Sequence, residues 1–128
     1  MNLIRYFEIN EIIPLVDKLL KETGTRLAFL NRANLEFAFD TMRIKFGNEL
    51  NKDVIAKKTA YLISQIVNGH PLADGNKRTA AFLAELFLRL NGFKLVVTNE
   101  VFLSELLDLA SDKISEKDIR RWIYENIR

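Results

Sequence analysis

The chain contains no cysteine and only one histidine, His70, in 128 residues. Without cysteine there can be no disulfide, and a single imidazole beside that absence argues against a structural zinc site. No apolar run approaches the ~20 residues needed to cross a bilayer. The opening Met1-Asn2-Leu3-Ile4-Arg5-Tyr6 lacks the charged-then-apolar layout of a signal peptide, so a cytoplasmic location is expected. Charge of one sign is scarce as well. A net charge of +2 is too small to imply nucleic acid, and neither a nucleic-acid nor a membrane partner is expected. Repeats, low-complexity tracts and linkers are missing, and nothing matches G-xxxx-GK-(S/T) or G-x-G-xx-G. What remains is an ordinary globular balance, 48% apolar and 28% charged. Its length suits one domain, 1–128, with a core of its own.

Helical periodicity dominates, and six helices with hardly any strand predict an all-α bundle. The first is expected to begin between Asn10 and Pro14 and to end at Gly24, with Ile12, Leu15, Val16, Leu19 and Leu20 as its stripe. The segment Gly24 to Asn31 breaks that pattern. A second helix, Arg32 to Phe46, carries Leu35, Phe39, Met42 and Phe46 and stops at Gly47. A third runs from an Asn51 N-cap to Asn68, lined by Val54, Ala60, Ile63 and Val67, with Gly69 in the left-handed stop position. A fourth, Lys77 to Leu90, ends before Gly92. It is almost wholly apolar from Ala80 to Leu88, which makes it the expected central helix. Lys94 to Val97 reads as a short extended segment, and Val101 to Ala110 as a helix behind Thr98 or Asn99. Ser115 with Asp118 resembles a capping box opening a helix through Trp122 to Ile127.

Between the third and fourth helices lies Asn68-Gly69-His70-Pro71-Leu72-Ala73-Asp74-Gly75-Asn76-Lys77-Arg78-Thr79, a short polar loop running straight into a helix start. The first amides of a helix lack carbonyl partners and the aligned peptide dipoles make that end electropositive, so the place suits a phosphate. Gly75 lets an anion approach the backbone, and the Arg78 guanidinium can hold two phosphate oxygens. Asp74 is a hard oxygen ligand of the kind that holds magnesium beside substrate phosphates. His70 carries an imidazole, the side chain suited to take a proton from a hydroxyl about to attack phosphorus near neutral pH. Base, metal ligand, anion hole and charge clamp together predict phosphoryl or nucleotidyl transfer.

The string His70 to Arg78 resembles the signature loop of the Fic/Doc family. It has the His-Pro and Gly-Asn of the Fic pattern HPF-x-(D/E)-GN-G-R and the Asn-Lys-Arg of the Doc (death-on-curing) pattern H-x-F-x-(D/N)-x-NKR. Chain size, the preceding helix and the run from Ala80 through Gly92 look Doc-like, and the resemblance extends from about Ile9 to the C-terminus. It implies a helical bundle of about six helices with the active-site loop between two central ones. It also implies ATP as substrate with Mg2+, His70 as general base, Asp74 at the metal, and Gly75, Asn76, Lys77 and Arg78 around the phosphates. Leu72 departs from the usual Phe and implies a smaller hydrophobic anchor and a less rigid loop. Lys77 stands where AMP-transferring Fic enzymes have Gly. In the Doc branch this is associated with nucleotide bound the other way round, presenting the γ-phosphate. The resemblance therefore implies a kinase-like toxin acting on a protein hydroxyl, elongation factor Tu being the target it suggests, held in check by an antitoxin protein. In the family, the region matching Arg26 to Asn31 can hold a target segment in extended form, which makes Leu27 and Phe29 candidate docking residues.

Each residue also has a plainer reading. A lone loop histidine commonly just bonds a carbonyl, Asp74 and Asn76 are ordinary turn and capping types, Arg78 could be a solvated helix residue, and Leu27 and Phe29 could simply tack a loop onto the core. Glu125-Asn126 echoes part of the family's inhibitory helix pattern but has Arg121 where Ser or Thr is required, so it reads as coincidence. A HEPN-type ribonuclease is set aside, because Ile63, Ser64 and Gln65 occupy the place of its arginine. Two alternatives to the kinase-like enzyme stand: AMP transfer from the same site, and an inactive partner-binding module.

Overall fold

The helical periodicity carries through into six helices in a computed structural model that describes residues 3–128. They are α1 (Ile9–Lys21), α2 (Arg32–Ile44), α3 (Lys52–Gly69), α4 (Asn76–Leu90), α5 (Asn99–Ala110) and α6 (Glu116–Asn126). No strand is formed among the described residues; extended backbone pairs only at the isolated bridges Leu3–Glu49, Phe29–Leu72 and Leu95–Ile127. The all-α expectation holds, and residues 94–96 are extended, paired with the C-terminus through Lys94 and Arg128.

The central helix is α3, not α4. It packs against α2, α4, α5 and α6, and it is buried on nearly every side, through Ile55, Ala56, Ala60, Leu62, Ile63, Ile66 and Val67. Its polar residues disguise this in the sequence, because two of them find partners inside. Thr59 Oγ1 donates to the Ile55 carbonyl at 2.7 Å. Lys58, fully buried, donates through Nζ to the carbonyls of Met42 (2.5 Å) and Lys45 (2.6 Å). Burial pushes its pKa down from the usual lysine value, while those carbonyls solvate the charge. The helix α4 buries only one side, with Thr79, Ala80, Ala81, Leu83, Ala84, Phe87 and Leu88 inward.

Several boundaries move for identifiable reasons. The helix α1 begins at Ile9, before Asn10, so Pro14 lies inside it; Glu11 Oε1 accepts from the Glu8 amide at 2.8 Å and fixes the start. Its buried stripe is narrower than the sequence predicts: Ile12, Val16 and Leu20 are inward, whereas Leu15 is 44% exposed. The helix α2 stops at Ile44 rather than Phe46. The Lys58 ammonium takes over the last carbonyls, Lys45 turns extended, and Phe46 and Gly47 adopt left-handed backbone. In α3 the left-handed stop falls on His70 (φ 45°, ψ 57°), not Gly69, which remains helical. At the C-terminal end the Ser115–Asp118 capping box forms as the sequence predicts.

Lys58 therefore terminates α2 from inside the core. Lys58→Met keeps the stem and strands the carbonyls, and it is expected to lower stability by about 2–3 kcal/mol, measured by urea unfolding. A loss below about 0.5 kcal/mol, the size of an ordinary surface change, would mean that α2 ends for another reason.

Candidate active site

The loop between α3 and α4 is held by side chain and main chain together. Asn76, the first residue of α4, turns its carboxamide back on Leu72: its Oδ1 accepts from the Leu72 amide and its Nδ2 donates to the Leu72 carbonyl, both at 2.9 Å. Leu72 itself is 1% exposed, so the smaller anchor is fully seated. From the other side, the extended residues 28–31 pair with the loop. The Leu30 and Asn31 amides donate to the Pro71 carbonyl (2.9 and 3.0 Å), and the Ala73 amide donates to the Ala28 carbonyl at 2.9 Å. Leu27 and Phe29 are half-buried and pack against the core. Their side chains fasten this segment, while the backbone of Arg26 and Leu27 makes no main-chain bond among the described residues.

Four helices start with a side-chain cap: Asn31, Asn51, Thr98 and Ser115 each accept from the amide three residues on, and α1 starts with the Glu8–Glu11 pair. The helix α4 has no side-chain cap. Gly75 occupies its N-cap position with φ 82°, and Asp74 Oδ1 accepts from the Gly75 amide at 2.7 Å, one residue too early to cap the helix. The amides at the start of α4 are thus left for a ligand. They open onto a cleft of about 420 Å³ lined by Asp74, Gly75, Asn76, Lys77 and Arg78 on one side and Glu100, Leu103, Ser104 and Leu107 of α5 on the other.

Five of the predicted site residues, Asp74 to Arg78, therefore come together in one cleft. His70 is exposed at the left-handed end of α3 and is not among the residues lining it. A non-glycine residue at such a position is strained, although histidine tolerates it better than most. The chain places this residue there with Gly69 immediately before it, and strain of that kind is commonly kept at functional positions. Arg78 is not a freely solvated residue: Nη1 donates to Thr23 and Nη2 to Thr25 Oγ1 at 2.9 Å. The α5 wall escaped the sequence reading. Its signal is the spacing 100, 103, 104, 107 on the face opposite the buried Phe102, Leu106 and Leu109, which is legible only once α4 is known to lie alongside.

A family model described as Fic/DOC family matches residues 6–88. The chain belongs to the Fic/DOC family. The matched span runs from just before α1 almost to the end of α4 and includes the whole loop, whereas the resemblance read from the motif extended to the C-terminus. The α5 half of the cleft lies outside it. Members of this Fic/DOC family are usually transferases. No curated protein matches the chain significantly. No helix among the described residues is long and apolar enough to cross a membrane.

Gly75 is the position on which the cleft is most exacting. A Cβ there would lie 2.5 Å from Leu20 Cδ2, in a fully buried side chain, and the backbone is left-handed besides. Gly75→Ala is expected to cost about 1–3 kcal/mol in thermal or urea unfolding; unchanged stability would contradict this packing.

Proposed function

We propose that the cleft binds ATP and that the chain is a Doc-like transferase moving the γ-phosphoryl group to a hydroxyl of a target protein. The observation that carries this reading is the uncapped start of α4, opening beside Lys77 and Arg78 into a cleft of about 420 Å³. Free amides, a helix dipole and two cations form the surroundings that polyphosphate requires.

The donor set fits magnesium only in the company of phosphate. Among the described residues no group of three or more His, Cys, Asp and Glu could hold a metal alone. Asp74, whose Oδ1 accepts from the Gly75 amide, would hold the ion through its other carboxylate oxygen. Mg2+ bound there would neutralise charge on the phosphates. The chain's own residues do the rest. The Gly75 backbone and the first amides of α4 cradle the phosphates, with Asn76 keeping the loop closed around them. Lys77 and Arg78 offset their charge, and His70 accepts the proton of the target hydroxyl as its oxygen bonds to phosphorus and the bond to ADP breaks. Little covalent chemistry is asked of the protein beyond positioning. The unpaired backbone of residues 26–27 offers an edge on which an extended target segment can pair; by family resemblance the target is elongation factor Tu. The Asn76-Lys77-Arg78 sequence favours the Doc branch, a toxin with a separately encoded antitoxin.

Purified protein incubated with target and ATP labelled at the α or the γ phosphate tests the reading. Label transferred from the γ position, and lost by about 10²-fold or more in His70→Ala, is the expected result. Retained α label would instead establish AMP transfer, and a His70→Ala variant with every phenotype intact would leave a partner-binding module. Leu27→Ala with Phe29→Ala is expected to reduce target modification far more than ATP binding, read by calorimetry; equal losses would remove these residues from target docking.

A further inference from the structure

The Arg78 guanidinium is held in an unusual way. Its two hydrogen-bond acceptors, Thr23 and Thr25, are neutral hydroxyls. Both are themselves fixed to the end of α1: Thr23 Oγ1 donates to the Leu20 carbonyl at 3.2 Å, and the Thr25 amide donates to the same carbonyl at 2.9 Å. Among the described residues Arg32, Arg43 and Arg120 each pair with a glutamate, whereas no carboxylate lies within ion-pair distance of Arg78. Glu22 and Glu85 line the adjoining cleft with it, and Asp74 and Glu100 the main one, none of them as an ion pair. A carboxylate partner would orient the fork and cancel its charge; hydroxyls orient it and leave the charge whole. Of the five N–H donors of an arginine, two are spent, so three remain. One guanidinium nitrogen, Nη2, lies 3.5 Å from where a Cβ of Gly75 would be, against the loop glycine at the start of α4.

We propose that Thr23 and Thr25 are positioning residues that aim Arg78 at a phosphate oxygen beside Gly75 and, through the same bonds, anchor the start of the extended segment that pairs with the loop. The aiming half rests on the phosphate-binding reading above. The anchoring half does not. Thr25 opens the segment, residues 28–31 pair with Pro71 and Ala73, and Arg78 closes the circuit from α4 back to Thr25. Anion site and extended segment are thus one mechanical unit, tied at both ends.

The variants are Thr23→Val with Thr25→Val, which keep shape and remove both hydroxyls, the Ser pair, which keeps them, and Arg78→Ala. In ligand-free protein, hydrogen exchange at the Leu30, Asn31 and Ala73 amides is expected to quicken about tenfold in the Val pair and in Arg78→Ala, and to stay at the wild-type rate in the Ser pair. In titration with Mg-ATP and with pyrophosphate, the Val pair is expected to bind about tenfold more weakly, Arg78→Ala more weakly still, and the Val pair on the Arg78→Ala background no worse than Arg78→Ala alone. Unchanged exchange in the Val pair overturns the anchoring whether or not nucleotide binds. A Val-pair loss of affinity that persists undiminished without Arg78 overturns the aiming. Wild-type protein that binds neither probe while exchange responds as expected refutes the phosphate-binding reading and the aiming with it, and upholds the anchoring.

Discussion

The Asn76 carboxamide accepts from the Leu72 amide and donates to the Leu72 carbonyl, closing a small ring between the first residue of α4 and the middle of the loop. A side-chain amide can serve the N–H and the C=O of one residue at once, accepting through its oxygen and donating through its nitrogen. Leu72 is thereby fixed between its buried side chain and its tied backbone. The loop's shape follows from that. Pro71 and Ala73, on either side, are presented to the extended segment; Gly75 is forced into left-handed backbone against Leu20; and α4 begins without a cap. The Asn76 carboxamide is thus spent on structure, and beside it the uncapped start of α4, Lys77 and Arg78 line the cleft.

The division of labour along the chain has a thermodynamic logic. Every helix start but that of α4 is capped by side chains, four by an N-cap residue and α1 by the Glu8–Glu11 pair, and a buried lysine closes the end of α2. The uncapped start of α4 therefore stands out as the place where stability was forgone. Its neighbour Arg78 follows the same pattern, held in place by two hydroxyls with no carboxylate in ion-pair distance among the described residues. Under the anion-binding proposal, both features would be groups oriented in advance of a ligand, which is what preorganisation means.

Much of this was legible in the sequence, and the failures are instructive. Asp74 to Arg78 could be read as neighbours because residues at short spacing stay together on folding, and they line one cleft; His70, almost as near in sequence, does not line it. The six helices followed from periodicity. The identity of the central helix did not, because Lys58 and Thr59 look like surface residues until the main-chain carbonyls that satisfy them are known. The left-handed position went to His70 rather than Gly69 for a similar reason: local preference points to glycine, and only the tertiary course of the chain puts the stop one residue later. Thr23 and Thr25 lie more than fifty residues from Arg78, and no local pattern could have joined them. Leu15 failed in the opposite sense, as an apolar residue at the right spacing with no neighbour to cover it.

The α5 face bearing Glu100, Leu103, Ser104 and Leu107 forms half of the cleft, yet it lies beyond the span shared with the family, residues 6–88. One wall of the cleft is the loop and the start of α4, and the other is a single amphipathic helix face. Substitutions on that α5 face therefore alter the shape and polarity of the cleft without touching the Asn76–Leu72 bonds that close the loop. In a scaffold this small, that separation lets the lining vary without reopening the problem of how the loop folds.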